Sequence, residues 1–220
     1  MKGRKNPYKG ADHFTVEAKK AGYPARSVFK LEEIDKRVRM FKPGQSVLDL
    51  GASPGSWTLY ASGRVGPKGH VLAMDLKELT TAIPANVEFF IGDALSLETA
   101  ALSRFAPYDV VVSDMAPNTT GNRLGDQTRS FDLFMRALAV AEALLKPGGG
   151  FVGKIFMGED FVRARDEVKR LFAAERTIRP EGTRTNSYEV FVVGERRRAP
   201  EPAAASPEAP PAATAPRGRS

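Results

Sequence analysis

The chain has 220 residues, enough for one domain with a sizeable core and short tails. It has no cysteine, which excludes a disulfide framework and thiolate chemistry. Its two histidines, His13 and His70, stand far apart in sequence with no cysteine beside them, so no metal site is expected. The net charge of +7 is unevenly placed: residues 1–42 carry twelve Lys and Arg against five acids, an excess that equals that of the whole chain. Such a basic end on a neutral domain fits either a polyanion binder or a solubilising tail.

No apolar run approaches the ~18 residues of a membrane span. The N-terminus has basic residues without the apolar stretch of a signal peptide, so a cytoplasmic protein with no membrane partner is expected. Residues 1–13, mixing Lys, Gly, Asn and Pro, read as a basic flexible arm. A short helix is predicted over 14–22, closed by Gly22. A second is predicted over 26–40, with Val28, Leu31 and Val38 at helical spacing. Phe41-Lys42-Pro43-Gly44 then breaks the chain. From there strand and helix alternate. Strands are predicted over 46–50, 70–75, 87–91 and 109–113, with a helix from about Trp57. A polar loop is expected over 117–129. A helix over 130–145 places Phe131, Phe134, Leu138 and Leu145 on one stripe and stops at Pro147-Gly148-Gly149-Gly150. A strand over 150–156, a helix over 159–174 with Phe161, Val168 and Phe172 inward, and strands near 176–179 and 188–194 complete the pattern. Repeated βα units predict an α/β domain over 14–195, its mostly parallel sheet covered by helices on both faces. Residues 196–220, rich in Ala and Pro with almost no large apolar side chain, read as a disordered tail.

The stretch Val47-Leu48-Asp49-Leu50-Gly51-Ala52-Ser53-Pro54-Gly55-Ser56-Trp57 runs an apolar strand through an acid into a small-residue loop and a helix start. In open α/β sheets, ligands bind beyond the carboxyl ends of strands, where such loops let backbone approach. The spacing is neither the dinucleotide G-x-G-x-x-G nor a phosphate loop with its Lys-Ser/Thr pair. A nucleoside with a positive or neutral tail suits it better than a pyrophosphate, and S-adenosylmethionine is the candidate. The competing reading is a plain turn. Three acids fall at strand ends: Asp75, Asp93 and Asp114. Asp75, 20 residues past Gly55, is placed to accept from ribose hydroxyls. Asp93 could accept from an exocyclic adenine amine. Each alone could be a helix N-cap; three together favour a pocket. Lys154, inside the apolar stretch Phe151–Phe156, and Glu189, within Tyr188–Val192, are charges where lysine and glutamate rarely bury unpaired. They are either outward edge charges or members of a site.

These residues carry a family pattern. The chain, over about 13–195, resembles the FtsJ/RrmJ family of ribose 2′-O-methyltransferases, most closely its bacterial branch acting on 23S ribosomal RNA. The family's Lys-Asp-Lys-Glu tetrad matches Lys30, Asp114, Lys154 and Glu189, each in its own motif. Its cofactor loop matches 49–57, with Ser53 and Ser56 replacing Ala and Gly. Gly153, where the family often has a β-branched residue, is expected to loosen packing beside Lys154. The resemblance implies a Rossmann-like class I S-adenosylmethionine-dependent methyltransferase fold, with a seven-stranded mixed sheet and the last strand antiparallel. It implies cofactor binding by Gly55, Trp57, Asp75, Asp93 and Asp114, and catalysis by Lys154, Lys30, Asp114 and Glu189. Lys154 would be the base that activates the ribose hydroxyl, Asp114 would orient it, and Lys30 and Glu189 would position the ribose. The implied partner is ribosomal RNA, within a large ribosomal subunit or its precursor, bound by a monomer. A transfer RNA ribose methyltransferase is the sister reading. A nucleotide-dependent oxidoreductase lacks its glycine motif here, and a non-catalytic RNA-binding module would not need the tetrad.

Overall fold

The structure, a computed structural model, describes residues 9–181, 183 and 187–200. Residues 1–8 of the expected arm and 201–220 of the expected tail lie outside the described residues. The apolar runs form seven strands: β1 (Ser46–Leu50), β2 (His70–Asp75), β3 (Val87–Ile91), β4 (Tyr108–Ser113), β5 (Leu145–Phe156), β6 (Phe172–Ile178) and β7 (Glu189–Arg197). They make one sheet in the order β3-β2-β1-β4-β5-β7-β6. The pairs among β1 to β5 are parallel, whereas β7 runs antiparallel to both β5 and β6. The mixed sheet with its last strand antiparallel is the one expected.

Helices α1 (Lys9–Lys20), α2 (Val28–Val38), α3 (Ser56–Val65), α4 (Arg123–Leu144) and α5 (Phe161–Leu171) complete the fold. Strand side chains alternate between faces. Val47, Ala73, Val112, Val152 and Phe191 pack under Leu31 and Ile34 of α2 and Trp57, Ala61 and Val65 of α3. Leu48, Leu50, Met74, Val111 and Ile155 pack under Phe131, Phe134 and Leu138 of α4 and Ala164 and Val168 of α5. Valine and leucine in both directions keep the central strands buried on two faces, as parallel strands require. The chain winds from β1 outward through β2 to β3, then returns to place β4 on the other side of β1. That reversal opens a crevice beyond the carboxyl ends of β1 and β4, the usual ligand position in such sheets.

Several boundaries differ from expectation. The first helix starts at Lys9, inside the stretch read as arm, and ends at Lys20. The loop expected over 117–129 is cut short because α4 begins at Arg123, where the Asn122 side chain accepts from the Gly125 N–H at 3.2 Å. Its first turns are polar and their one large apolar residue, Leu124, is exposed, so no apolar stripe announces them. Helix α5 stops at Leu171, and Phe172 opens β6 over Gly194, whose missing Cβ leaves room for the ring. Strand β7 continues through Arg196 and Arg197, two residues into the expected tail.

Candidate active site

Beyond the strand ends lies a cavity of about 580 Å³, lined among others by Gly51, Ser53, Asp75, Asp93, Asp114 and Asn118. This is within the size range of small-molecule sites. The turn after β1 is built on Met74, whose carbonyl accepts from the N–H groups of both Gly51 (2.9 Å) and Ala52 (3.0 Å). Gly51 has φ +80°, and a Cβ there would lie 2.9 Å from the Met115 nitrogen. Only glycine permits this loop to pass so close to the one after β4. The Asp75 carboxylate accepts from the Ser53 N–H on one oxygen and the Lys77 N–H on the other, both at 2.9 Å. Asp93 accepts from the Leu95 N–H at 2.9 Å. Each is thus the loop-organising acid that strand ends favour, and each also faces the cavity with lone pairs to spare.

Asp114 lies one step past β4, where the register pairs Val112 with Val152 and so brings Asp114 alongside Lys154 on the same face. Lys154 Nζ donates to the Asp114 carboxylate at 2.8 Å and to its backbone carbonyl at 2.5 Å. The lysine side chain is only 7% exposed and the aspartate 18%, so the pair is well shielded from water. Next to it, β7 sets Phe191 opposite Lys154 and Glu189 opposite Phe156. Lys30 reaches down from α2 across the Phe191 ring, 5.9 Å from its centroid, and donates to Glu189 at 2.5 Å. Lys30, Asp114, Lys154 and Glu189, distant in sequence, therefore form two neighbouring ion pairs bridged by Phe191 on one sheet face.

Gly55 and Trp57, expected to touch the cofactor, do not line the cavity. Gly55 caps α3 at φ +114°, and a Cβ there would meet Thr81 at 2.6 Å. The Trp57 indole turns inward against Phe191, with centroids 5.6 Å apart, and its Nε1–H donates to the Ser27 carbonyl at 2.9 Å. Ser56 Oγ accepts from the Ala25 N–H at 2.8 Å and donates to the Ala25 carbonyl at 3.0 Å. The start of α3 thus clamps residues 25–27, the lead into α2, and so sets the position of Lys30. Gly153, expected to loosen the core, does not: a Cβ there would sit 2.7 Å from the Phe134 and Phe151 rings, which fill the space themselves.

Two acids escaped notice as site residues. Asp49, fully buried in β1, accepts from Thr58 Oγ1 at 2.7 Å on one oxygen; the other has no partner among the described residues. Burial pushes its carboxyl up to about 7, opposed by the Thr58 hydrogen bond and assisted by the charges of Asp114 and Asp75. The unbroken apolar company of Asp49 was the available signal. Asp126, in the first turn of α4, is also buried. It accepts from the Thr120 N–H at 3.0 Å and pairs with Arg129, which fixes the loop beside the cavity. Among the described residues, no group of three or more His, Asp or Glu is placed to hold a metal ion, and no helix is long and apolar enough to cross a membrane.

The sheet order, the acid-lined crevice and the small-residue loop together define a methyltransferase of the Rossmann-like class. The chain belongs to the FtsJ-like methyltransferase family, whose model matches residues 23–197. It is 63% identical over 195 residues to a ribosomal RNA large subunit methyltransferase E from Sorangium cellulosum, covering 89% of this chain and 92% of that protein. It is 48% identical over 191 residues to the Bdellovibrio bacteriovorus protein of the same name, covering 85% and 97%. The structure also superposes on an assigned ribosomal RNA methyltransferase from Plasmodium falciparum with a TM-score of 0.69 at 22% identity, covering 80% of this chain and 98% of the other.

Proposed function

We propose that this enzyme moves a methyl group from S-adenosylmethionine to the ribose 2′-OH of a uridine in 23S ribosomal RNA, presented in a large ribosomal subunit or its precursor in the cytoplasm. The observation that carries the reading is Lys154, shielded from water and held by Asp114, itself a lining residue of the acid-lined cavity. The relatives' names support ribosomal RNA as the substrate. The basic excess of residues 1–42 supports a polyanion partner.

The cavity fits the cofactor. Its volume suits a nucleoside with an amino-acid tail, and it offers Asp75 for ribose hydroxyls, Asp93 for an amine edge and Asp114 at the transfer end. When bound, the cofactor supplies an electrophilic methyl group on a positively charged sulfur. Everything else falls to the chain. A ribose hydroxyl is a poor nucleophile at neutral pH, so a positioned base must take its proton as the oxygen–carbon bond forms. A neutral lysine amine has two N–H donors and one lone pair. The carboxylate and backbone carbonyl of Asp114 accept one N–H each, which leaves the lone pair of Lys154 directed at the remaining tetrahedral position, for the hydroxyl proton. Asp114 is therefore the orienting group. Lys30 and Glu189 balance each other and present a donor and an acceptor beside Lys154 that can position the ribose.

The test incubates purified protein with S-adenosylmethionine and under-methylated large ribosomal subunits, then maps modifications by mass spectrometry. One new ribose methyl on a uridine of the large rRNA is expected. Methylation of a base, or none, would overturn the reading.

A further inference from the structure

Tyr188 and Arg123 stand next to the two ion pairs and take no part in them. Phe156 follows Lys154 by two residues on the same face of β5, about 7 Å further along the strand. The Tyr188 ring meets the Phe156 ring edge to face, centroids 5.2 Å apart and planes at 83°. The Tyr188 carbonyl also accepts from the Met157 N–H at 2.9 Å, which extends the β5–β7 pairing and holds the tyrosine backbone in place. Arg123, at the start of α4, lays its guanidinium over the Tyr188 ring at 5.2 Å. That stretch of α4 is tied to the end of β5 by Gln127, whose Nε2 donates to the Met157 carbonyl at 2.5 Å. Phe156, Tyr188 and Arg123 thus form a stack rising from the strand end beside Lys154 and Glu189.

The outermost member is exposed, and among the described residues no carboxylate lies within ion-pair distance of it. A guanidinium held over an aromatic ring by its charge still has N–H groups to donate, in a fork that matches two oxygens of one phosphate. Holding the cation over the ring also removes part of the entropy cost of fixing a long side chain. The stack starts two residues along β5 from Lys154, within reach of a nucleotide flanking a ribose held there.

We propose that Arg123 takes a backbone phosphate of a nucleotide flanking the target ribose, with Tyr188 as the residue that positions the guanidinium. The inference rests on the reading of the chain as an RNA ribose methyltransferase and adds the contact that sets the register of the strand in the site. It identifies a phosphate contact, which positions the RNA without reading its sequence.

The experiment measures equilibrium binding of the full chain to a large-subunit rRNA fragment carrying the methylated site, by fluorescence anisotropy across a salt series, together with steady-state methylation. Arg123→Gln should weaken RNA binding about tenfold, the scale of one charge-assisted hydrogen-bonded contact. It should flatten the slope of log affinity against log salt by about 0.7 to 0.9, one phosphate's worth. The loss in turnover should appear in KM, and S-adenosylmethionine affinity should hold. Tyr188→Leu should raise KM by a smaller factor while the salt slope stays near the wild-type value, because the charge remains. An unchanged slope in Arg123→Gln, with or without a change in affinity, would overturn the proposal. The binding arm needs no turnover, so it reads Arg123 even if the wild-type protein methylates no ribose, an outcome that would sink the proposed function instead.

Discussion

Replacing Asp49 by Asn removes the ionisable group at the centre of β1 while keeping its shape and the acceptor for Thr58 Oγ1. Burial raises this carboxyl from 3.8 to about 7, with Asp114 and Asp75 adding to the rise and Thr58 opposing it. A raised folded-state value means that the native protein binds the proton more tightly than the unfolded chain does. The stabilisation from holding that proton is complete below about pH 4. It falls as pH climbs through the interval from 3.8 to about 7 and is gone just above it. Roughly three pH units at 1.36 kcal/mol each put the whole loss at about 4 kcal/mol. Urea unfolding of wild type and Asp49→Asn at fixed ionic strength, from pH 4 to pH 8, reads this directly, since groups common to both proteins cancel in the difference. The variant should gain about 4 kcal/mol on the wild type across that range. A difference that stays constant within about 0.5 kcal/mol would refute a buried, proton-holding Asp49. A neutral carboxyl here also spares Asp114 a like charge on the neighbouring strand, so the state of Asp49 bears on the Lys154 pair.

Asp75→Ala should weaken S-adenosylmethionine binding by about 1–3 kcal/mol in calorimetry, the scale of a hydrogen bond to a charged group. NADH should bind little or not at all, and tight NADH binding without a response to S-adenosylmethionine would remove the methyltransferase reading. Gly153→Val should lower stability by about 1–3 kcal/mol through overpacking, because Phe134 and Phe151 already occupy the space a side chain would need. A thermal melt matching wild type would show that these rings can move aside.

The central sheet was legible because parallel strands buried on both faces are written as local apolar runs. Strands 46–50, 70–75 and 87–91 match the structure residue for residue. What failed locally had a nonlocal cause. The first two turns of α4 are held by Asn122 and by the buried Asp126 bound to Thr120, with no apolar stripe to signal them. Phe172 continues the helical spacing of α5, yet it is drawn into a strand by a glycine 22 residues later, Gly194. At the site, the four charged residues were readable from their separate motifs. Their division into Lys154–Asp114 and Lys30–Glu189 was not, because it depends on strand register and on how α2 docks. That docking also gives Trp57 a part that sequence does not show: beside the binding loop, its ring fastens the Lys30 helix to the core. Asp49 was legible in principle, since Val47, Leu48 and Leu50 around it mark a strand buried on both faces.

The role of Lys154 is tested most directly by single-turnover methyl transfer against pH, with radiolabelled S-adenosylmethionine, for the wild type, Lys154→Ala and Lys154→Arg. The wild-type rate should rise with pH, because a general base acts only in its unprotonated form. Lys154→Ala should keep its fold and cofactor affinity but lose at least ~10²-fold in rate, along with that rise. Lys154→Arg should not recover it, because a guanidinium stays protonated. A substantial recovery by Arg, or an alanine variant with the wild-type pH rise intact, would contradict Lys154 as the base and move the proton transfer to Asp114 or to water.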